Sequence, residues 1–165
     1  MARFDFNANE IFEMAEQIER NGAAFYVKAA ASFDGPAKKL LEELASWEKK
    51  HEDIFKDMQK ALASSEKLEQ VFDPDEEGAR YLQAFADRHV FDTRVEAAER
   101  LTGDESLEEV LRIAIGLEKD SIVFYLGLRD ATPDKAGRER VEEIIKEEMK
   151  HVSILSDELR KALKS

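Results

Sequence analysis

Two four-residue segments decide the fold of this chain: EKKH at residues 48–51 and EMKH at residues 148–151. Both are Glu-x-x-His motifs, and they begin 100 residues apart. Three residues along an α-helix bring a side chain back to the same face about one turn further on, so each carboxylate and imidazole can approach a common point. One such motif in a glutamate-rich chain is usually a solvated surface pair. The matched repetition favours a shared site instead.

A second pair of motifs precedes these segments. Glu19 and Tyr26, seven residues apart, lie upstream of the first Glu-x-x-His motif, and Glu118 and Tyr125 stand at the same spacing upstream of the second. Seven residues are two helical turns, so each tyrosine shares a face with its glutamate. Both glutamates are flanked by apolar positions, where a carboxylate is costly unless it is paired or binds a metal. We interpret the order Glu, Tyr, Glu, His as an internal repeat.

The repeat lies on four predicted long helices. A break at Asp34-Gly35-Pro36 separates the first helix from the second, and a break at Thr132-Pro133 separates the third from the fourth. Thr132-Pro133 is also predicted to cap and open the last helix. The short turns predict two antiparallel hairpins, at about residues 7–63 and 106–163. The predicted bounds of the helices are about 7–32, 36–63, 106–131 and 133–162.

The crossover between the hairpins, residues 64–105, is too long to be structureless in a compact domain. We predict two short helices there. One opens at Asp73-Pro74 and carries Tyr81, Leu82 and Phe85, and the other opens at Asp92-Thr93 and ends at Thr102-Gly103. The chain is thus expected to be one all-α domain over residues 1–165, a four-helix bundle with a long, partly helical crossover.

The composition limits the partners. Hydrophobic residues make up 43% and charged residues 38%, as expected for amphipathic helices that bury one stripe each. The net charge of −12 argues against nucleic acid and anionic membranes. Residues 1–5 lack the apolar run of a signal peptide, and no apolar stretch approaches the ~20 residues of a membrane span. We therefore expect a cytoplasmic protein without a nucleic-acid or membrane partner.

The ligand types indicate a pair of metal ions. Carboxylate together with imidazole suits Fe, Mn or Zn, and the absence of cysteine removes thiolate sites. Four glutamates and two histidines can give each of two ions one terminal glutamate and one histidine, and leave two glutamates to bridge. We expect two iron ions, with Mn or Zn as possible substitutes. The predicted metal ligands are Glu19, Glu48, His51, Glu118, Glu148 and His151.

The remaining candidates receive simpler interpretations. Tyr26 and Tyr125 are expected to donate their hydroxyls to ligating glutamates, the alternative being core tyrosines bonded elsewhere. Trp47 is expected to pack in the core beside the site. His89, in the crossover, has no partner pattern and is expected to be structural or exposed. Four further acids are expected on solvated faces: Glu16, Glu52, Asp120 and Glu147.

These motifs resemble the ferritin-like superfamily, and most closely the rubrerythrin-like di-iron domain, over nearly the whole chain. The resemblance implies that the glutamates of the two Glu-x-x-His motifs bridge the irons. It also implies that Glu19 and Glu118 are terminal ligands and that each histidine completes one iron. In such proteins the di-ferrous centre reduces hydrogen peroxide or dioxygen.

Two departures from that family pattern stand in this sequence. Rubrerythrins carry a rubredoxin module with four cysteines, whereas this sequence has no cysteine. They also tend to have an additional carboxylate three residues after the helix-three glutamate, where this chain has Ser121. The resemblance therefore implies an external electron donor, either a protein or a small reductant, and a more symmetric site without the carboxylate whose ligand exchange is associated with peroxide turnover.

The leading functional hypothesis is a non-haem di-iron oxidoreductase that reduces hydrogen peroxide or dioxygen in oxidative-stress defence. A ferroxidase that feeds an iron store is a second hypothesis, which requires a shell or an encapsulating partner. A non-catalytic bundle whose metal only stabilises the fold is a third. We expect a homodimer, and the long crossover would permit exchange of hairpins between subunits.

Overall fold

The computed structural model describes residues 8–63, 80–82, 84, 97–132 and 134–165 of the chain. These residues form four long helices, which confirms the all-α class. They are α1 (Ala8–Ala30), α2 (Gly35–Ala63), α3 (Leu107–Ala131) and α4 (Lys135–Ala162). The bounds agree with the sequence expectation to within about two residues. None of the described helices is long and apolar enough to cross a membrane.

The helices pair as two hairpins. α1 packs along α2 and α3 packs along α4, while α1 also meets α3 and α2 meets α4. Gly35 opens α2 with φ 61°, a left-handed conformation that glycine adopts without the steric penalty of a side chain. Ser106 caps α3 through a capping box, in which its side chain accepts from the Glu109 amide and the Glu109 side chain accepts from the Ser106 amide.

The prediction that Thr132-Pro133 caps α4 is wrong. The N-cap of α4 is Asp134, whose carboxylate accepts from the Gly137 amide at 2.7 Å. Thr132 instead ends α3, and its hydroxyl donates to the Leu128 carbonyl at 2.7 Å. A carboxylate reaches the first-turn amides of a helix well, and Gly137 leaves room for it, since a Cβ there would lie 2.8 Å from Asp134 Oδ1.

The crossover is described only in part. Residues 80–82, 84 and 97–100 are helical, and the last of these stretches ends at Arg100, just before the predicted stop at Thr102-Gly103. Leu82 is buried and packs in the bundle core. The predicted openings at Asp73-Pro74 and Asp92-Thr93, together with Phe85 and His89, lie outside the described residues.

Two apolar clusters fill the bundle, one towards each end. Phe12, Phe55 and Phe124 belong to the first, and Phe25 and Leu44 belong to the second. On every helix the predicted ligands lie between the residues of the two clusters. The hydrophobic core therefore surrounds the middle of the bundle and brings the polar residues there out of contact with water.

Candidate metal centre

The structure brings all six predicted ligands together in the middle of the bundle, each no more than 3% exposed. They form two overlapping sets, within each of which one ligand atom per residue lies within 4.8 Å of the others. Glu48 and Glu148 belong to both sets. The other members are Glu19 and His51 in the first set, and Glu118 and His151 in the second.

His51 turns Nδ1 towards the carboxylates. This atom lies 2.8 Å from Glu148 Oε1 and 3.6 Å from Glu19 Oε2. The opposite ring nitrogen, Nε2, lies 2.8 Å from Oε2 of Glu147 on α4. The His51 ring thus links the interior of the cluster to a carboxylate at the surface of the bundle.

His151 has the equivalent orientation in the other set. Its Nδ1 lies 3.1 Å from Glu148 Oε2, 3.7 Å from Glu48 Oε1 and 3.8 Å from Glu118 Oε2. Trp47 stacks on the His151 ring with centroids 4.9 Å apart and planes 6° apart. The two imidazoles are 5.8 Å apart and nearly parallel, so both Nδ1 atoms face the shared carboxylates.

The two tyrosines connect the hairpins crosswise. Tyr26 of α1 donates its hydroxyl to Glu118 of α3, and Tyr125 of α3 donates its hydroxyl to Glu19 of α1. Each tyrosine therefore donates a hydrogen bond to the glutamate of the other hairpin. The sequence shows only that it shares a helix face with the glutamate of its own hairpin. Each hydroxyl occupies one carboxylate oxygen and leaves the second directed at the cluster.

The cluster is electrostatically unfavourable without a cation. Burial, together with the negative charges of Glu118 and Glu19, raises the pKa of Glu148 to about 8. Burial lowers the pKa of His51 and His151, but the neighbouring glutamates outweigh it and raise these pKa values to about 11 and about 9. In the metal-free protein, protons therefore supply the positive charge that the carboxylates require.

Orphaned polar atoms show that the cluster fits a metal ion. Glu19 Oε2, Glu148 Oε1 and His51 Nδ1 are fully buried and lack a well-aligned hydrogen bond, although the last two atoms lie 2.8 Å apart. A buried polar atom without a partner costs roughly 1–3 kcal/mol. These atoms point into the two sets of ligands, and a donor set of carboxylates and imidazoles is what Fe, Mn or Zn binds.

Two acids expected on solvated faces are buried, and that expectation is wrong for Glu16 and Glu52. Arg20, Lys49 and Lys56 each lie within 3 Å of the Glu52 carboxylate. Burial opposes ionisation of Glu52, but hydrogen bonds from these cations lower its pKa to about 2. Cations from both α1 and α2 cover this carboxylate, a packing that a charged sequence stretch does not reveal.

Asp120 is exposed as expected. Glu147 is also exposed, at 52% of its side chain, yet its contact with His51 makes it part of the centre. The repeat could have identified this residue. When the hairpins are aligned at the 100-residue offset, Glu147 takes the position of Trp47, which was expected to lie beside the site. Ser121 is fully buried and donates to the Leu117 carbonyl at 2.9 Å, so its hydroxyl is turned back onto its own helix.

A four-helix bundle with four buried carboxylates and two imidazoles between its helices defines the ferritin-like di-iron carboxylate class. The Rubrerythrin family model matches residues 10–159, and the chain belongs to the rubrerythrin family. A crystal structure from Thermotoga maritima, of a protein assigned as a ferritin-like diiron-carboxylate protein, is similar at a TM-score of 0.68 and 27% identity. The similarity covers 98% of this chain and 99% of that one. Among curated proteins, none matches the sequence significantly.

Proposed function

We propose that the six clustered residues hold two iron ions and that this centre reduces hydrogen peroxide or dioxygen with electrons from an external donor. The observation that carries the proposal is the overlap of the two ligand sets at Glu48 and Glu148. Two sets that share two carboxylates suit a pair of bridged ions better than two independent ions. Manganese and zinc would fit the same donor atoms.

The six residues divide into three pairs in this proposal. Glu48 and Glu148 would bridge the ions. Glu19 and His51 would complete the coordination of one ion, and Glu118 and His151 would complete the coordination of the other. A di-ferrous pair supplies two electrons, which is the number required to reduce hydrogen peroxide to two molecules of water. The protein supplies geometry, charge and access.

The residues around the cluster prepare it for this chemistry. The tyrosine hydroxyls fix Glu19 and Glu118, so these carboxylates do not need to reorganise when they bind an ion. The apolar clusters on either side of the site restrict the access of water to the ligand atoms. Low polarity around the carboxylates strengthens their attraction for a cation.

The donor and the assembly are part of the proposal. We propose that the electrons come from another protein or a small reductant, since the sequence offers no cysteine for an iron site that could relay them. We expect peroxide or dioxygen as the oxidant, a cytoplasmic setting and a homodimer.

Steady-state peroxide consumption tests the proposal. Iron-loaded protein supplied with a chemical reductant should consume many equivalents of peroxide per chain. Glu48→Gln, which removes a shared carboxylate, should abolish this turnover, whereas Glu143→Gln on the exposed face of α4 should leave it unchanged. Oxidation followed by release of ferric iron, without repeated turnover, would contradict the redox enzyme and favour iron handling.

A further inference from the structure

Positions 47 and 147 are equivalent in the two hairpins, because each directly precedes the glutamate of a Glu-x-x-His motif. Tryptophan occupies the first and glutamate the second. Each reaches the histidine of the opposite hairpin: Trp47 stacks on His151, and Glu147 lies 2.8 Å from His51 Nε2. The pseudo-twofold arrangement therefore gives the two histidines chemically different neighbours.

Glu147 acts on the outer side of His51. Nδ1 of this ring faces Glu19 and Glu148. With an ion bound at Nδ1, the ring would keep its proton on Nε2, where the Glu147 carboxylate is placed to accept it. A carboxylate in this position fixes the tautomer and the orientation of a ligating imidazole, and it makes the ligating nitrogen a stronger donor. Glu147 thus adds negative charge to one half of the centre without binding an ion.

Trp47 acts differently on His151. The indole lies parallel to the imidazole and holds its plane, but it offers neither charge nor a hydrogen-bond acceptor. Among the described residues, no carboxylate contacts the Nε2 atom of His151, since every contact of this ring with an acid is made through Nδ1. The second histidine is therefore oriented by a neighbour that adds no negative charge on its outer side.

We propose that Glu147 is a positioning residue that acts through His51 and makes the two metal positions unequal. The ion held by Glu19 and His51 binds first and more tightly than the ion held by Glu118 and His151. This inference rests on the proposed metal centre, but it does not depend on the redox reaction.

Titration of the metal-free protein with Co²⁺ tests the inference, with heat and visible absorption as readouts. The wild type should bind two ions in two phases. Glu147→Gln keeps the shape and an acceptor oxygen but removes the charge, and it should weaken the tighter phase about tenfold while the weaker phase stays unchanged. Glu147→Ala should weaken the same phase by about 10–100-fold. Glu143→Gln, one turn earlier on α4 and exposed, is the matched control and should change neither phase.

The tryptophan provides the reciprocal test. Trp47→Phe keeps an aromatic ring on His151 and should leave both phases unchanged, whereas Trp47→Ala should weaken only the phase that Glu147→Gln leaves alone. Two equal affinities in the wild type, or two phases that neither Glu147 variant alters, would overturn the inference. Failure to bind Co²⁺ would overturn both this inference and the proposed centre. Two unequal phases that respond to Glu147→Gln, without peroxide turnover, would support the inference and contradict the enzyme.

Discussion

At the scale of single residues, the proposed centre depends on groups outside the six predicted ligands. Tyr26 and Tyr125 each place a hydroxyl on a glutamate of the other hairpin, in a fully buried setting. A hydrogen bond to a charged group contributes more than one between neutral groups, about 1.5–3 kcal/mol, and a buried acceptor that loses its donor is costly. The two contacts therefore fix the ligands and also hold the hairpins together.

Replacement of either tyrosine by phenylalanine should show both effects. We expect Tyr26→Phe and Tyr125→Phe each to lower the free energy of unfolding of the metal-free protein by about 1.5–3 kcal/mol, because Glu118 or Glu19 loses a buried donor. Chemical denaturation in the presence of a chelator measures this loss. Tyr81→Phe is the control, since the Tyr81 hydroxyl donates to the neutral Val123 carbonyl at the surface, and it should cost only about 0.5–1.5 kcal/mol. Equal losses at all three positions would contradict a special role for the two buried hydroxyls.

At the scale of elements, α3 carries two glycines with opposite surroundings. Gly116 is exposed, and a Cβ added there would meet nothing within 4 Å. Gly127 is buried, and an added Cβ would lie 2.5 Å from Tyr81 Cδ1 and 3.1 Å from Leu82 Cδ2. The crossover thus packs directly on the backbone of α3, and only a residue without a side chain permits this approach.

These glycines give a paired prediction. Gly116→Ala should raise the free energy of unfolding by about 1 kcal/mol, because alanine restricts the unfolded chain and favours the helix. Gly127→Ala should lower it by about 1–3 kcal/mol, because the methyl group displaces Tyr81 from its packed position. Thermal unfolding of the two variants beside the wild type measures both. Stabilisation by Gly127→Ala would show that the crossover does not pack here.

At the scale of the whole molecule, the buried acids make stability depend on pH and on metal. The raised pKa values of Glu148, His51 and His151 mean that the metal-free folded chain binds more protons than the unfolded chain at neutral pH. Stability therefore falls as pH rises above about 4.5, and it continues to fall through the folded pKa values near 8, 9 and 11. Bound cations replace these protons and remove the penalty.

The Tm difference between metal-loaded and metal-free protein should consequently grow as pH rises from about 5.5 to 8.5. Differential scanning calorimetry with Zn²⁺, which undergoes no redox change, measures this difference. Metal-free Glu148→Gln lacks one of the titrating groups, so its Tm should fall less steeply with pH than that of the metal-free wild type. A Tm difference that stays constant over this range would contradict the assigned protonation of the cluster.

Much of the architecture could be predicted from the sequence, because the repeat at residues 48–51 and 148–151 and the breaks at Gly35-Pro36 and Thr132-Pro133 are local signals. The gathering of the six polar residues followed from the same repeat. Other features depend on contacts between different helices, which local periodicity does not contain. The crosswise tyrosines, the burial of Glu52 and the contact of Glu147 with His51 are of this kind. The choice of Asp134 over Thr132 as a cap shows the same limit within a single turn.

Stoichiometric reaction of the loaded protein with peroxide tests directly whether the six buried residues hold a redox-active pair of irons. Metal-free protein is titrated anaerobically with Fe²⁺, bound iron is counted, and hydrogen peroxide is then added in small portions while the absorbance is recorded. We expect two Fe²⁺ per chain and complete oxidation by one H₂O₂ per pair, with two protons consumed and two molecules of water formed. Fewer than two bound ions, or oxidation no faster than that of free Fe²⁺, would contradict this expectation.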